Sequence, residues 1–96
     1  MGIEEVLGTS REAILRITGS YGARNVRIFG SVARGNARPD SDLDILVDFQ
    51  GEQSLFDHIR LSLELESVAG RRVDIATESE LRPGHRERVL REAVAL

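Results

Sequence analysis

The run Asp42-Leu43-Asp44-Ile45-Leu46-Val47-Asp48-Phe49 constrains the fold more than any other stretch of this chain. Side chains of a strand alternate between its two faces, so Leu43, Ile45 and Val47 share one face while Asp42 and Asp44 share the other. A strand with a continuous apolar face must be covered by another layer, and the carboxylates are then left on the opposite side. Two like charges on one face are costly unless a cation lies near them. The same alternation recurs over residues 71–76, with Val73 and Ile75 on one face and Arg72 and Asp74 on the other. Val26-Arg27-Ile28-Phe29, β-branched and aromatic, is a further short strand.

Helical spacing fills the rest. Residues 3–20 read as helix, broken near Gly8, with Thr9-Ser10-Arg11-Glu12 as a capping box and Ile14, Ile17 and Tyr21 on one face. Residues 31–41 are rich in Gly, Asn, Pro, Asp and Ser and read as a turn or loop with room for one helical turn. In residues 54–69 Leu61, Leu63 and Leu65 alternate as in a strand, but length and the Phe56/Ile59/Leu63 spacing favour a helix capped by Ser54. That helix carries two apolar stripes, Leu55/Phe56/Ile59/Leu63 and Leu61/Leu65/Val68. One faces the core, and the other is left for the last helix, a partner or self-association. Gly70 stops it. Pro83 suits a first helical turn, and Val89, Leu90, Ala93 and Val94 give the last helix an apolar face. The order α-β-(turn)-β-α-β-α predicts an α/β (α+β) chain, a small sheet covered by helices, read as one domain over residues 1–96.

Composition narrows the chemistry. All 13 cationic side chains are arginine. Without lysine there is no Schiff base and no P-loop, and any phosphate held by a side-chain cation is held by arginine. Against 16 acids the net charge is -3, and neither half of the chain is basic, so direct nucleic-acid binding is not expected. The absence of cysteine excludes disulfides and thiolate metal sites and fits a reducing compartment. No apolar run is long enough to span a membrane, and the acidic start lacks a signal-peptide core. The expected location is the cytoplasm.

Three features carry chemistry together: Gly30-Ser31 directly after a strand, the Asp42/Asp44 pair opening the next, and Asp74 inside a third. Magnesium, a hard cation with oxygen ligands that also takes substrate phosphates, suits the pair. With Asp74 the cluster can hold two ions that bridge an attacking oxygen and a nucleoside triphosphate. Gly30 lets backbone approach a phosphate closely, and Ser31 adds a hydroxyl and an N–H donor.

The stretch Gly30-Ser31-Val32-Ala33-Arg34-Gly35-Asn36-Ala37-Arg38-Pro39-Asp40-Ser41-Asp42-Leu43-Asp44-Ile45-Leu46-Val47 resembles the G-S-x-A-R-G-x(5)-S-D-x-D-[IL]-x-V motif of the minimal nucleotidyltransferases, in the DNA-polymerase-β-like superfamily. Arg72-Val73-Asp74-Ile75-Ala76 resembles that family's third-carboxylate strand, and Leu90-Arg91-Glu92-Ala93-Val94 its closing segment. The resemblance implies the nucleotidyltransferase fold with a mixed sheet. It implies that Asp42 and Asp44 bind two magnesium ions, and that Asp74 binds the catalytic one and helps activate the acceptor hydroxyl. It also implies that Gly30 and Ser31 cradle the β/γ phosphates. The implied reaction moves AMP from ATP, with pyrophosphate leaving. The implied role is that of an antitoxin which adenylylates a tyrosine on a HEPN-domain ribonuclease toxin.

Alternatives stay open at this point. Arg34 either contacts phosphate or braces the loop through an acid. Arg38 is a solvated loop residue or touches the triphosphate. Ser41 reads as a turn hydroxyl, Asp40 and Asp48 as solvated, His58 and His85 as surface residues, and Arg86, Arg88 and Arg91 as a solvated helix face or a contact for an acidic partner. The competing functions are an antitoxin that neutralises by binding alone and nucleotidyl transfer to a small molecule.

Overall fold

The computed structural model describes residues 1–96. Helix α1 (Ile3–Leu7) ends at Gly8, and one 3₁₀ turn over Gly8–Ser10 leads into α2 (Arg11–Ser20). The expected break near Gly8 is there, but the capping box is not. Ser10 has helical backbone angles and bonds the Val68 carbonyl at 2.8 Å, tying α2 to a distant helix instead of capping its own. Strand β1 (Ala23–Phe29) begins earlier than its apolar run suggests. Its register slips between Arg24 and Arg27, where Asn25 takes a φ of 52° and bonds Asp48 at 3.1 Å, a bulge that sequence pattern alone does not disclose.

The loop region supplies the allowed helical turn as α3 (Gly30–Arg34). Strand β2 (Leu43–Phe49) follows, then α4 (Leu55–Ala69), where Ser54 accepts the Asp57 N–H at 3.0 Å and Gly70 closes the far end at a φ of 69°. Strand β3 is Val73–Ala76, two residues shorter than the 71–76 stretch; Arg72 joins β2 only through its carbonyl, which accepts the Leu43 N–H at 2.8 Å. Helix α5 (Pro83–Glu92) stops two residues earlier than its apolar pattern, and Val94–Ala95 form strand β4 against β1. Val94 therefore belongs to a fourth strand and not to the final helix.

The sheet order is β3-β2-β1-β4, with β1 antiparallel to both neighbours and β2 parallel to β3. Ile28, Leu43, Ile45, Val47, Val73 and Ile75 line one face, and Ile14 of α2 with Leu61 and Leu65 of α4 cover it. Burying each of these leucines contributes about 1.5–3 kcal/mol. The opposite face is smaller: Phe29 and Leu46 pack on Val89 of α5. Of the two α4 stripes, Leu61 and Leu65 are fully buried, while Leu55, Phe56 and Leu63 are 73%, 78% and 60% exposed. The covered apolar face of β2 thus turns its alternate residues, Asp44 among them, toward α5.

Candidate active site

Parallel register sets Asp44 beside Asp74 on neighbouring strands. Both lie on the face that α5 covers, because Leu43/Ile45 and Val73/Ile75 take the other. On the far side of Asp44 is Phe29, its partner in β1, and the chain leaves the sheet at Gly30. Gly30 has a φ of 74°, and a Cβ built there would lie 2.1 Å from Asp44 Oδ2. Only glycine tolerates both the angle and the approach. The Gly-Ser signal in the sequence therefore has a steric cause, which is the carboxylate of the second motif aspartate.

These residues border a cleft of about 300 Å³. Asp44 and Asp74 lie on its sheet side, Phe29, Gly30, Ser31 and Arg34 at the turn, and His85, Arg88 and Glu92 on α5. Two larger grooves of about 400 Å³ lie toward the other end of β2, around Phe49, Gln53 and Thr77, and neither includes Asp44 or Asp74. Asp42 stands just before β2 outside the cleft lining, and its carboxylate faces Arg72 Nε at 3.7 Å. No three His, Cys, Asp or Glu side chains are gathered as a metal-holding group.

Burial and neighbouring carboxylates both show in the acidity of Asp44. Burial first, then the charges of Asp74 and Asp42, push it from 3.8 to about 6, against the opposing pull of Arg34. Glu92 moves the other way. Partial desolvation favours its neutral form, but bonds from Arg34 and the Gly30 N–H, with the charges of Arg34 and Arg88, outweigh it and hold the carboxyl below its usual range. Arg34 Nη1 lies 3.0 Å from Glu92 Oε2, and the Gly30 N–H donates to Glu92 Oε1 at 3.1 Å. Of the two readings of Arg34, the contact present is the one with an acid. His85 Nδ1 and Arg88 Nη2 are 2.7 Å apart at the cleft rim.

The remaining sequence assignments fall as follows. Ser41 is a turn hydroxyl, accepting the Arg38 N–H at 2.8 Å. Asp48 pairs with Arg27 at 3.0 Å and Arg86 with Glu78 at 3.2 Å, both away from the cleft. His85 and Arg88 are exposed, as read from the sequence, but they border the cleft and are not merely a solvated face. Glu92 was missed as a site residue. The only local trace of it is the i, i+3, i+7 spacing of His85, Arg88 and Glu92, which sets the three on one side of a helix that is polar nearly all round and buries Val89 alone.

Comparison with known proteins agrees with this geometry. Residues 11–96 match the nucleotidyltransferase domain family. The chain is 40% identical over 94 residues to a Methanocaldococcus jannaschii protein provisionally named a protein adenylyltransferase, covering 98% of this chain and 97% of that one. It is 47% identical over 74 residues to the protein adenylyltransferase MntA of Thermococcus cleftensis, covering 77% of this chain and 75% of the other. A solved structure provisionally described as a minimal nucleotidyltransferase superposes with a TM-score of 0.85 at 54% identity, over 100% of this chain and 97% of that one. A toxin–antitoxin crystal structure with AMP-PNP shares the fold at a TM-score of 0.75 and 19% identity, over 88% of this chain and 69% of that one. With the carboxylate pair, the glycine turn and a family match over most of its length, this chain belongs to the nucleotidyltransferase family, among its minimal members, and is a nucleotidyltransferase.

Proposed function

We propose that this chain transfers AMP from ATP to a protein hydroxyl, a tyrosine of a HEPN-domain ribonuclease toxin, and acts in the cytoplasm as the antitoxin of that pair. The observation that carries the reading is the alignment of Asp44 and Asp74 in one cleft beneath the Gly30 turn. The names of the adenylyltransferase relatives and the fold shared with a toxin–antitoxin complex support it.

The donor set suits magnesium. Two carboxylates in a cleft form an oxygen site, and a bound cation would offset the cost of burying Asp44 beside the charges of Asp74 and Asp42. Magnesium is commonly held by one or two carboxylates together with substrate phosphates, so a three-carboxylate cage is not required. Asp44 and Asp74, with Asp42 at the strand entrance, would hold the two ions, which when bound would neutralise the triphosphate and polarise the reacting oxygens.

The chain's own residues then have defined tasks. Gly30 and Ser31 would border the β/γ phosphates without steric interference. Asp74 would orient the acceptor hydroxyl and draw on its proton. The acceptor oxygen forms a bond to the α-phosphorus, the bond from that phosphorus to the bridging oxygen breaks, and pyrophosphate leaves with the electron pair. Positioning and charge stabilisation supply most of the acceleration in such a transfer.

A second reading, neutralisation by binding alone, is favoured by one observation, the exposed Leu55/Phe56/Leu63 stripe of α4, which suits a protein partner. One experiment separates the two. The chain is incubated with labelled ATP, magnesium and the co-encoded toxin, then the assay is repeated with Asp42→Asn/Asp44→Asn. Label on the toxin that disappears with the double variant supports the enzyme. Neutralisation that survives the double variant without label supports the binder.

A further inference from the structure

Glu92 is the acidic residue of the cleft that the motif does not explain. Its side chain is 16% exposed, and it makes bonds to two elements at once. Oε1 accepts the Gly30 N–H at 3.1 Å, and both oxygens face Arg34 Nη1, at 3.3 and 3.0 Å. Gly30 opens α3 and Arg34 closes it, so one carboxylate of α5 grips both ends of that helical turn. The packing of Val89 on Phe29 and Leu46 fixes α5 itself.

The grip has a specific object. Gly30 takes a positive φ and lies against Asp44, and nothing in its own chemistry holds a glycine in one conformation. Glu92 also adds negative charge to a cleft that already holds Asp44 and Asp74, which is unhelpful for a polyanionic substrate unless the carboxylate is engaged elsewhere. Its three bonds to Gly30 and Arg34 engage it. Arg34 is correspondingly committed to Glu92.

We propose that Glu92 is a positioning residue for nucleotide binding, and that Arg34 acts through it and not by touching phosphate. Together they hold the Gly30–Ser31 turn over Asp44 in the geometry that accepts the triphosphate. The proposal rests on the nucleotide-transfer reading above.

The test is a double-mutant cycle of wild type, Glu92→Ala, Arg34→Ala and the combined variant. The measurements are the Kd of a non-hydrolysable ATP analogue with magnesium by calorimetry, KM and kcat for ATP, and hydrogen exchange of the Gly30 amide. Each single variant is expected to raise Kd and KM by about tenfold with a smaller fall in kcat. The combined variant should be no worse than either alone, because coupled residues do not add. Exchange at Gly30 should quicken in both single variants. Glu92→Gln keeps an oxygen for the Gly30 N–H and should remain within about threefold of wild type, while Glu92→Asp, charged but shorter, should not. This pair decides the matter if Glu92→Ala does not fold.

Single-variant effects that multiply in the combined variant, or a Glu92→Ala Kd within twofold of wild type, would overturn the proposal alone. A wild-type chain that neither binds the analogue nor transfers AMP would overturn it together with the functional reading.

Discussion

Gly30 and Asp44 explain each other at the level of single atoms. A methyl group at position 30 would meet Asp44 Oδ2 at 2.1 Å and would carry a φ of 74°. Gly30→Ala should therefore cost about 1–3 kcal/mol of stability in urea unfolding and abolish nucleotidyl transfer, since either the turn or the carboxylate must move. The acidity of Asp44 gives a second prediction, for the protein in chelator. Its folded value of about 6 exceeds the 3.8 of a free side chain, so between these values the folded state binds more protons than the unfolded one. The contribution is favourable at low pH, falls as pH rises through about 6, and is absent above it. Asp44→Asn should remove that slope and raise stability at pH 7 by on the order of 1–2 kcal/mol, after allowance for solvent on the open side of the cleft. Guanidinium titrations at pH 5 and 7 measure both effects, and an unchanged slope in Asp44→Asn would contradict the assignment. Asp44 and Asp74 are legible as a pair because period two separates them from buried neighbours on the same strands, whereas Asp42, expected to open the strand, lies just before β2 and outside the cleft lining. Glu92 is not legible, because the bond that gives it meaning joins it to Gly30, sixty-two positions away.

The elements differ in how far pattern alone exposes them. The α4 helix and its two stripes were readable, since a covered sheet face can take only one stripe, and Leu61/Leu65 won that place while Leu55/Phe56/Leu63 stayed in solvent. Strand β4 was not readable. Two residues carry no period, and only the open edge of β1 draws Val94–Ala95 out of the helical pattern. The missing cap on α2 has a similar cause, a long-range bond from Ser10 to Val68 in place of the local one. Two predictions belong here. Val89→Ala should cost about 1–3 kcal/mol and also raise the KM for ATP, because Val89 seats the helix that carries Glu92. Phe56→Ser/Leu63→Ser should change chain stability by less than about 1 kcal/mol but weaken association with the proposed protein partner by tenfold or more in calorimetry. An undiminished affinity would remove α4 from the partner surface.

At the scale of the whole molecule, the site exists only because the sheet order β3-β2-β1-β4 gathers distant pieces of the chain. Asp44 and Gly30 come from the first half, Asp74 and Glu92 from the second, and no local segment contains the cleft. The lysine-free composition fits this plan. A P-loop assigns part of its phosphate binding to lysine, whereas here carboxylates, a glycine turn and an arginine held by Glu92 make up the wall. The central claim is that these carboxylates transfer AMP to a protein. Intact-mass spectrometry of the proposed toxin partner after incubation with ATP, magnesium and this chain tests it most directly. The expected result is a mass increase of whole adenylyl groups with the wild-type chain, lost with Asp44→Asn and with Asp74→Asn although both variants remain folded. No increase with the wild-type chain, or an increase that persists in both variants, would contradict the account.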